Sequence, residues 1–481
     1  MNVNDLLLIL PLVILVLWAC VLLLVDLFIP RTRKGITALL AGLGMLVAMG
    51  FAITDFQLSG VVFSGMMVVD GFSHFLDILL LASGLVGVAL AYDYIRRMNI
   101  ERGEYYILLM FSISGMMLMA SAADLIVVFL ALELLSIPLY VLSSFAAPRP
   151  ESEEAGIKYF LLGAFSSGFM VYGIAMIFGA AGSTQLAGIV SAITGATANM
   201  TLLTVGAGLF MIGLAFKVAV VPFHMWTPDV YQGAPSSVVA FMSVGAKVAG
   251  FAALLRVFVL AFPALSNSMV PILWAISAIT MIIGNFVAIA QTNIKRLLAY
   301  SSISHAGYIF MAMVPYWQPK VANDAVAAAL FYLLAYAFTN LGAWAVVIAL
   351  EQAEGRGLEI KDFAGLASKY PALAAAMAIF MLSFTGVPPT LGFLGKFYLF
   401  RAVLEGGYVS LAIIGVLTSL ISAYYYLRVV IVMYMQEGAP VARREPWLYL
   451  TTLVTAVGTV VFTLYSAPFL AWASQAILQV F

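Results

Sequence analysis

Apolar runs of about 20 residues follow one another from Asp5 to Phe481, and each is long enough to cross a hydrocarbon core as a helix. Backbone amides in lipid have no water to bond, so only helices or a closed barrel can span it. A barrel is excluded, because its strands alternate apolar and polar residues over short segments, whereas residues 6–25 are almost continuously apolar. The chain therefore reads as an all-α polytopic membrane protein, helical throughout. Charged residues make up only 9%, against roughly 25% in soluble domains, which excludes a soluble fold. The first run follows Asn2, Asn4 and Asp5 rather than basic residues and has no small-residue cleavage site, so it reads as a span and not a signal peptide.

Hydropathy places about fourteen spans, at 4–29, 36–54, 70–95, 104–121, 123–147, 157–182, 199–221, 228–262, 270–291, 297–317, 324–350, 371–401, 407–435 and 446–476. The distribution of Lys and Arg tests that count. Alternate connections carry Arg31, Arg33 and Lys34, then Arg96, Arg97 and Arg102, then Arg149, then Lys295 and Arg296, then Arg356, Lys361 and Lys369, then Arg443 and Arg444. The opposite connections carry only Lys320 and Arg401. Basic residues gather on the cytoplasmic side, so both termini are expected on the other side. The connections are short, the longest being Glu351–Tyr370, and none can hold a soluble catalytic domain.

Several chemistries drop out. With 22 Lys+Arg against 22 Asp+Glu, no basic field is available for nucleic acid. The single cysteine, Cys20, excludes a disulfide framework, a thiolate iron–sulfur centre and a tetrahedral zinc site built from this chain alone. Neither GxGxxG nor GxxxxGK occurs, so no dinucleotide fold or P-loop can be argued. No cofactor and no metal is expected in the chain, and the energy that drives it comes from elsewhere.

What remains are ionisable side chains where lipid disfavours them: Glu133, Lys217, Lys247 and Lys396 in mid-span, and His305 on a helix with Ser301, Ser302 and Ser304. Each costs about 2.5–3.5 kcal/mol even on the lenient insertion scale, so such residues point to function. The bland alternative is a charge pair that fixes packing, or a lysine that snorkels to the interface. One glutamate can pair with one lysine, which leaves lysines over. A lysine suits proton work because desolvation favours its neutral form while a nearby carboxylate favours the charged one, and a histidine suits relaying protons between such sites. Lys158, after Glu153 and Glu154, reads by position as an interfacial lysine.

Two lysines lie beside helix breakers. Lys217 precedes Pro222, and Lys396 follows Gly386, Pro388, Pro389 and Gly392. Breaks inside a membrane survive only where protein or a hydrated cavity satisfies the freed backbone groups, as in transporters with discontinuous helices. The broken spans are the seventh and twelfth, five apart and therefore opposite in direction. That implies two inverted five-helix repeats, at 104–262 and 270–436, flanked by a three-helix segment at 1–103 and a final span at 446–481. In VPFHMWTPDVYQGAP, Thr227 and Pro228 read as N-cap and first position of the next helix, and His224 serves equally as a turn residue or a proton-uptake group.

The stretches PFHMWTPDVYQGAPSSVVAFMSVGAKVAG, KRLLAYSSISHAGYIFMA and GVPPTLGFLGKFYLF resemble the signature segments of the subunit N family of respiratory complex I, and the likeness covers nearly the whole chain. The resemblance implies fourteen helices with discontinuous helices 7 and 12. It makes Glu133, Lys217, Lys247 and Lys396 the proton-channel residues, with His305 linking two half-channels and Lys158 an accessory polar site. In that family the glutamate pairs with the first broken-helix lysine, the middle lysine passes the proton on and the last delivers it. The sister subunit M carries a glutamate where Lys396 stands, and subunit L continues into a long lateral helix. Mitochondrial versions lack the first three spans, so a bacterial plasma membrane is the expected location and a thylakoid-type membrane a less favoured one.

The resemblance also implies FMN, iron–sulfur clusters and quinone in partner subunits. The implied neighbours are another antiporter-like subunit, the small subunits beside the quinone module, and membrane lipid. The leading reading is a redox-inactive, proton-translocating subunit of NADH–quinone oxidoreductase. The alternative is the large subunit of a multi-subunit sodium/proton antiporter.

Overall fold

The computed structural model describes residues 3–56, 58–352, 355–476 and 478. Twenty α-helices follow in order: α1 (Val3–Leu8), α2 (Leu10–Asp26), α3 (Gly35–Thr54), α4 (Gly71–Arg97), α5 (Glu104–Ser121), α6 (Leu125–Ser143), α7 (Pro150–Ala181), α8 (Leu186–Thr194), α9 (Met200–Val218), α10 (Trp226–Gly233), α11 (Ser236–Ala261), α12 (Ser266–Ile289), α13 (Ile294–Phe310), α14 (Pro319–Leu350), α15 (Leu366–Lys369), α16 (Pro371–Thr385), α17 (Leu391–Glu405), α18 (Val409–Met435), α19 (Pro446–Leu464) and α20 (Ala467–Gln475). Eleven of these are long and apolar enough to cross a membrane singly. Adding α2, the serine-rich α13 and the broken pair α16–α17 recovers the fourteen crossings.

The boundaries differ where backbone chemistry overrides hydropathy. The eighth span, expected at 228–262, begins only at Ser236, because Ala234 is extended before Pro235 and ends α10 there. The short helix α10 starts at Trp226 with Met225 in the N-cap position. Thr227 is thus inside the first turn rather than at the cap, and its hydroxyl has no partner. The fourteenth span ends at Leu464 rather than running to 476, with α20 separate. The chain is also not helical throughout. Strands β1 (Gly60–Val62) and β2 (Met67–Val69) form an antiparallel ribbon with Gly60 opposite Val69, in a connection between spans where the backbone must pair with itself.

Burial sorts the helices into layers. The apolar window of α11 is 100% buried and that of α14 94%, against 33% for α7 and 39% for α3, α18 and α19. Thus α11 and α14 are the core, and nearly all side chains in their apolar windows face protein. The first three spans pack on that core through α4, which touches both α11 and α14. A buried ion pair joins them. Asp70, N-cap of α4, receives Arg256 of α11 through two bonds of 2.8 and 2.9 Å, and Arg256 Nε donates to Ala120 O at 3.0 Å.

Removing one partner of a buried pair strands the other, at a cost of about 3–5 kcal/mol. Arg256→Met is therefore expected to cut the amount of assembled protein in membranes sharply, as read on native gels. Asp70→Asn together with Arg256→Met, which keeps the capping oxygen and removes both charges, is expected to recover most of it.

Candidate functional site

Both breaks foreseen from the sequence are present. After α9, Ala219 turns left-handed (φ 62°) and the chain runs irregularly to α10. The freed groups are met by protein, as lipid requires: Val221 N–H donates to Thr280 Oγ1 of α12 at 3.0 Å, and Trp226 Nε1 donates to Phe216 O at 3.0 Å. After α16, Gly386 (φ 88°) takes the left-handed turn that other residues rarely adopt. Ser383 Oγ accepts Gly392 N–H across that break at 3.1 Å.

Lys396, in the first turns of α17, reaches back to the open end of α16. Its Nζ donates to Phe384 O at 2.8 Å, Thr385 O at 3.0 Å and Ser419 Oγ at 2.8 Å, and lies 4.8 Å from the Tyr308 ring. The cation thus sits at a helix C-terminus, where the backbone dipole favours positive charge. Lys217, on the last turn of α9, points elsewhere. It donates to Ser136 Oγ at 2.8 Å and Tyr159 OH at 2.9 Å, with the Tyr140 and Tyr159 rings beside it. Lys247 of α11 donates to Ser302 O at 2.7 Å, below the Tyr336 ring. All three lysines are buried, with 3–4% exposure. Among the described residues no carboxylate pairs with any of them at contact distance.

His305 stands between the last two lysines. One ring nitrogen is 2.5 Å from Tyr332 OH and the other 3.1 Å from Tyr426 OH. Tyr426 OH also bonds Ser301 Oγ, and Tyr336 OH donates to Ser302 Oγ at 2.9 Å. Further along, Tyr308 OH donates to Thr418 Oγ1 at 3.2 Å, one residue from Ser419, the hydroxyl that accepts Lys396 Nζ. From Lys247 to Lys396, hydroxyls and one imidazole line a buried row. Each is a group that can both accept and donate a proton.

The sequence located the ionisable members of this row and Ser301, Ser302 and Ser304, but missed its tyrosines. Tyr332 and Tyr336, one turn apart on α14, were the available signal. Glu133 does not pair with Lys217 here. It accepts Ser167 Oγ at 2.5 Å on the outer side of α6, where Leu130 and Ile137 are exposed. Lys158 lies apart from the row. It is 40% exposed and bonds Glu154 at 2.6 Å and Asp229 at 2.7 Å, and Asp229 in turn holds Arg296 at 2.9 Å. His224 lies in the first break, half-buried, with Nδ1 unpartnered, and is not joined to the lysines.

Exposed ion pairs contribute about 0–1 kcal/mol, and Lys158 touches no group of the buried row. Lys158→Ala is expected to assemble in normal amounts and to lower proton translocation far less than Lys217→Ala, measured side by side in membrane vesicles.

Comparisons with known proteins bear on the family and the fold. Residues 122–422 match the family model described as NADH:quinone oxidoreductase/Mrp antiporter, transmembrane. The NADH-quinone oxidoreductase subunit N of Chloroflexus aggregans is 47% identical over 98% of this chain and 97% of its own length. A chain of respiratory complex I from Thermus thermophilus, solved with bound aureothin, superposes with a TM-score of 0.82 at 33% identity, covering 96% of this chain and 99% of that one. A chain of the Mrp complex from Dietzia sp. superposes with a TM-score of 0.87 at 20% identity, covering 99% and 97%, a likeness of fold alone.

Proposed function

The chain belongs to the subunit N family of NADH-quinone oxidoreductase, and from that premise we propose that protons cross it along Lys217, Lys247, His305 and Lys396. It is a multi-span subunit of a respiratory membrane complex whose enzyme oxidises NADH and reduces quinone. The observation that carries the route is the shell around each lysine. Hydroxyls, carbonyls and rings meet the three ammonium groups, so none is locked by a carboxylate at contact distance. A charge held by dipoles alone is released at small cost when its surroundings change.

Within this reading the roles divide by position. Lys217 is the first station, bonded to Tyr159 and Ser136. Lys247 and His305 share the hydroxyl row, with His305 joining the two halves. Lys396 is the last station, held by the open end of α16. Glu133 tunes the first station from the outer side of α6, closing on Lys217 in one state and on Ser167 in the other. Lys158 belongs to a charged rim on the basic side of the membrane. The residues at 104–262 and 270–436 act as the two inverted halves. Electrons move through FMN, iron–sulfur clusters and quinone in partner subunits. Neighbouring antiporter-like and small membrane subunits, and lipid, cover the apolar faces of α6 and α7. The basic connections face the cytoplasm of a bacterium, and both termini face outward from its plasma membrane.

Lys217→Ala and Lys396→Ala are each expected to lower NADH-driven proton pumping severalfold while the complex assembles. Full pumping by assembled complexes carrying both changes would overturn the route. Glu133→Gln is expected to impair pumping more than Glu133→Asp, because the negative charge is what tunes the lysine. Equal rates for the two variants would remove that role.

A further inference from the structure

Away from the lysine row, a cavity of about 380 Å³ lies where α16 and α19 begin, between residues 369–373 and 444–449. Two cations line it, Lys369 and Arg444, and both are exposed. They converge on one ring: Lys369 Nζ and Arg444 Cζ each lie 5.9 Å from the centroid of Tyr370. Among the described residues neither has a carboxylate at contact distance. The carboxylate in the lining, Glu445, is already taken. It accepts Arg97 Nη1 of α4 at 2.5 Å, and Arg97 Nη2 donates to Ile348 O at 2.8 Å.

The backbone adds to this positive field. The helices α16 and α19 pack against each other, and both open with proline and without a side-chain cap, so the positive ends of two helix dipoles border the space that holds the two cations. The cavity also lies at the membrane surface, since both helices enter the membrane here. Beside it Trp447 is 42% exposed, as indoles at the interface are. From Pro446 one face of α19 continues in steps of three and four residues through Leu450, Leu453, Val457 and Val461, each 46–61% exposed. A cationic mouth thus stands at the head of an apolar strip.

We infer that this cavity binds the head group of an anionic phospholipid, with its phosphate between Lys369 and Arg444 and an acyl chain along the outer face of α19. Basic pockets between helices on the cytoplasmic side suit such head groups. A free phosphate would meet the cations but leave the apolar strip uncovered. A zwitterionic lipid would cover the strip but bring a cation of its own into a space that already has two without counter-ions. The site shares no residue with the lysine row, so it stands or falls separately from the translocation route.

The test exposes the assembled complex to limiting phosphatidylglycerol that carries a diazirine near its glycerol, and in parallel to phosphatidylcholine with the same group. After illumination, adducts are mapped by mass spectrometry. Phosphatidylglycerol is expected to label residues 369–373 and 444–449 severalfold more than phosphatidylcholine does. Lys369→Gln together with Arg444→Gln should weaken that labelling by about fivefold for each charge removed, while adducts elsewhere on the complex persist. Equal labelling by the two lipids, or labelling that the double change leaves intact, would overturn the proposal. So would loss of the adducts in inorganic phosphate at constant ionic strength, which would make this a site for the free anion. Should the double variant not assemble, the ratio between the two lipids on the unaltered complex decides alone.

Discussion

An ammonium group in the interior of a membrane has to be held by something, and how it is held decides the rest of this structure. A carboxylate at contact distance would fix the charge, as Asp70 fixes Arg256 with two bonds and a shared place at the head of α4. The three lysines of the buried row are held otherwise. Lys396 uses backbone carbonyls that exist only because a helix stops in mid-membrane. Lys217 and Lys247 use hydroxyls, a carbonyl and ring faces. The charge of the ion pair and the charges of the lysine row thus differ in chemistry inside one fold. The first is paired and bidentate, while the second is met by groups that are themselves uncharged.

The breaks follow from the same requirement. A discontinuous helix exposes amides and carbonyls that lipid cannot satisfy, so a neighbour must be placed against each. Thr280 on α12 and Trp226 on α10 do this for the first break, and Lys396, Ser383 and Ser419 for the second. The two breaks are therefore not equivalent chemically. At the second the cation itself closes the open helix end, while at the first an indole does so and the lysine is free to face Ser136 and Tyr159.

Much of this could be read from the sequence, for reasons tied to particular residues. Crossings were legible because lipid permits so few structures, and the fourteen were recovered with the breaks at Pro222 and at Gly386–Pro389. Glu133, Lys217, Lys247, His305 and Lys396 stood out because ionisable side chains are rare in an apolar run. The tyrosines did not, since an aromatic residue in a span is ordinary until its hydroxyl is seen to have a partner. Hydropathy also could not separate α10 from α11, because eight mixed residues are too short to register as an element of their own and only the geometry before Pro235 divides them.

The short helix α10 shows why that division matters. Its eight residues face three environments in turn: Trp226 stacks on Tyr159, the partner of Lys217, with ring centroids 4.4 Å apart; Asp229 holds Lys158 and Arg296 at the charged rim; and Tyr231 packs edge-on against Trp344 of the core helix α14. No hydrogen-bond chain among the described residues joins Lys217 directly to Lys247. A helix of two turns, cut free at both ends by Ala219–Met225 and by Ala234–Pro235, is held by side chains rather than by continuation of its own backbone. The first lysine, the charged rim and the core helix α14 are therefore coupled through one small body, and a shift of that body changes the surroundings of all three together.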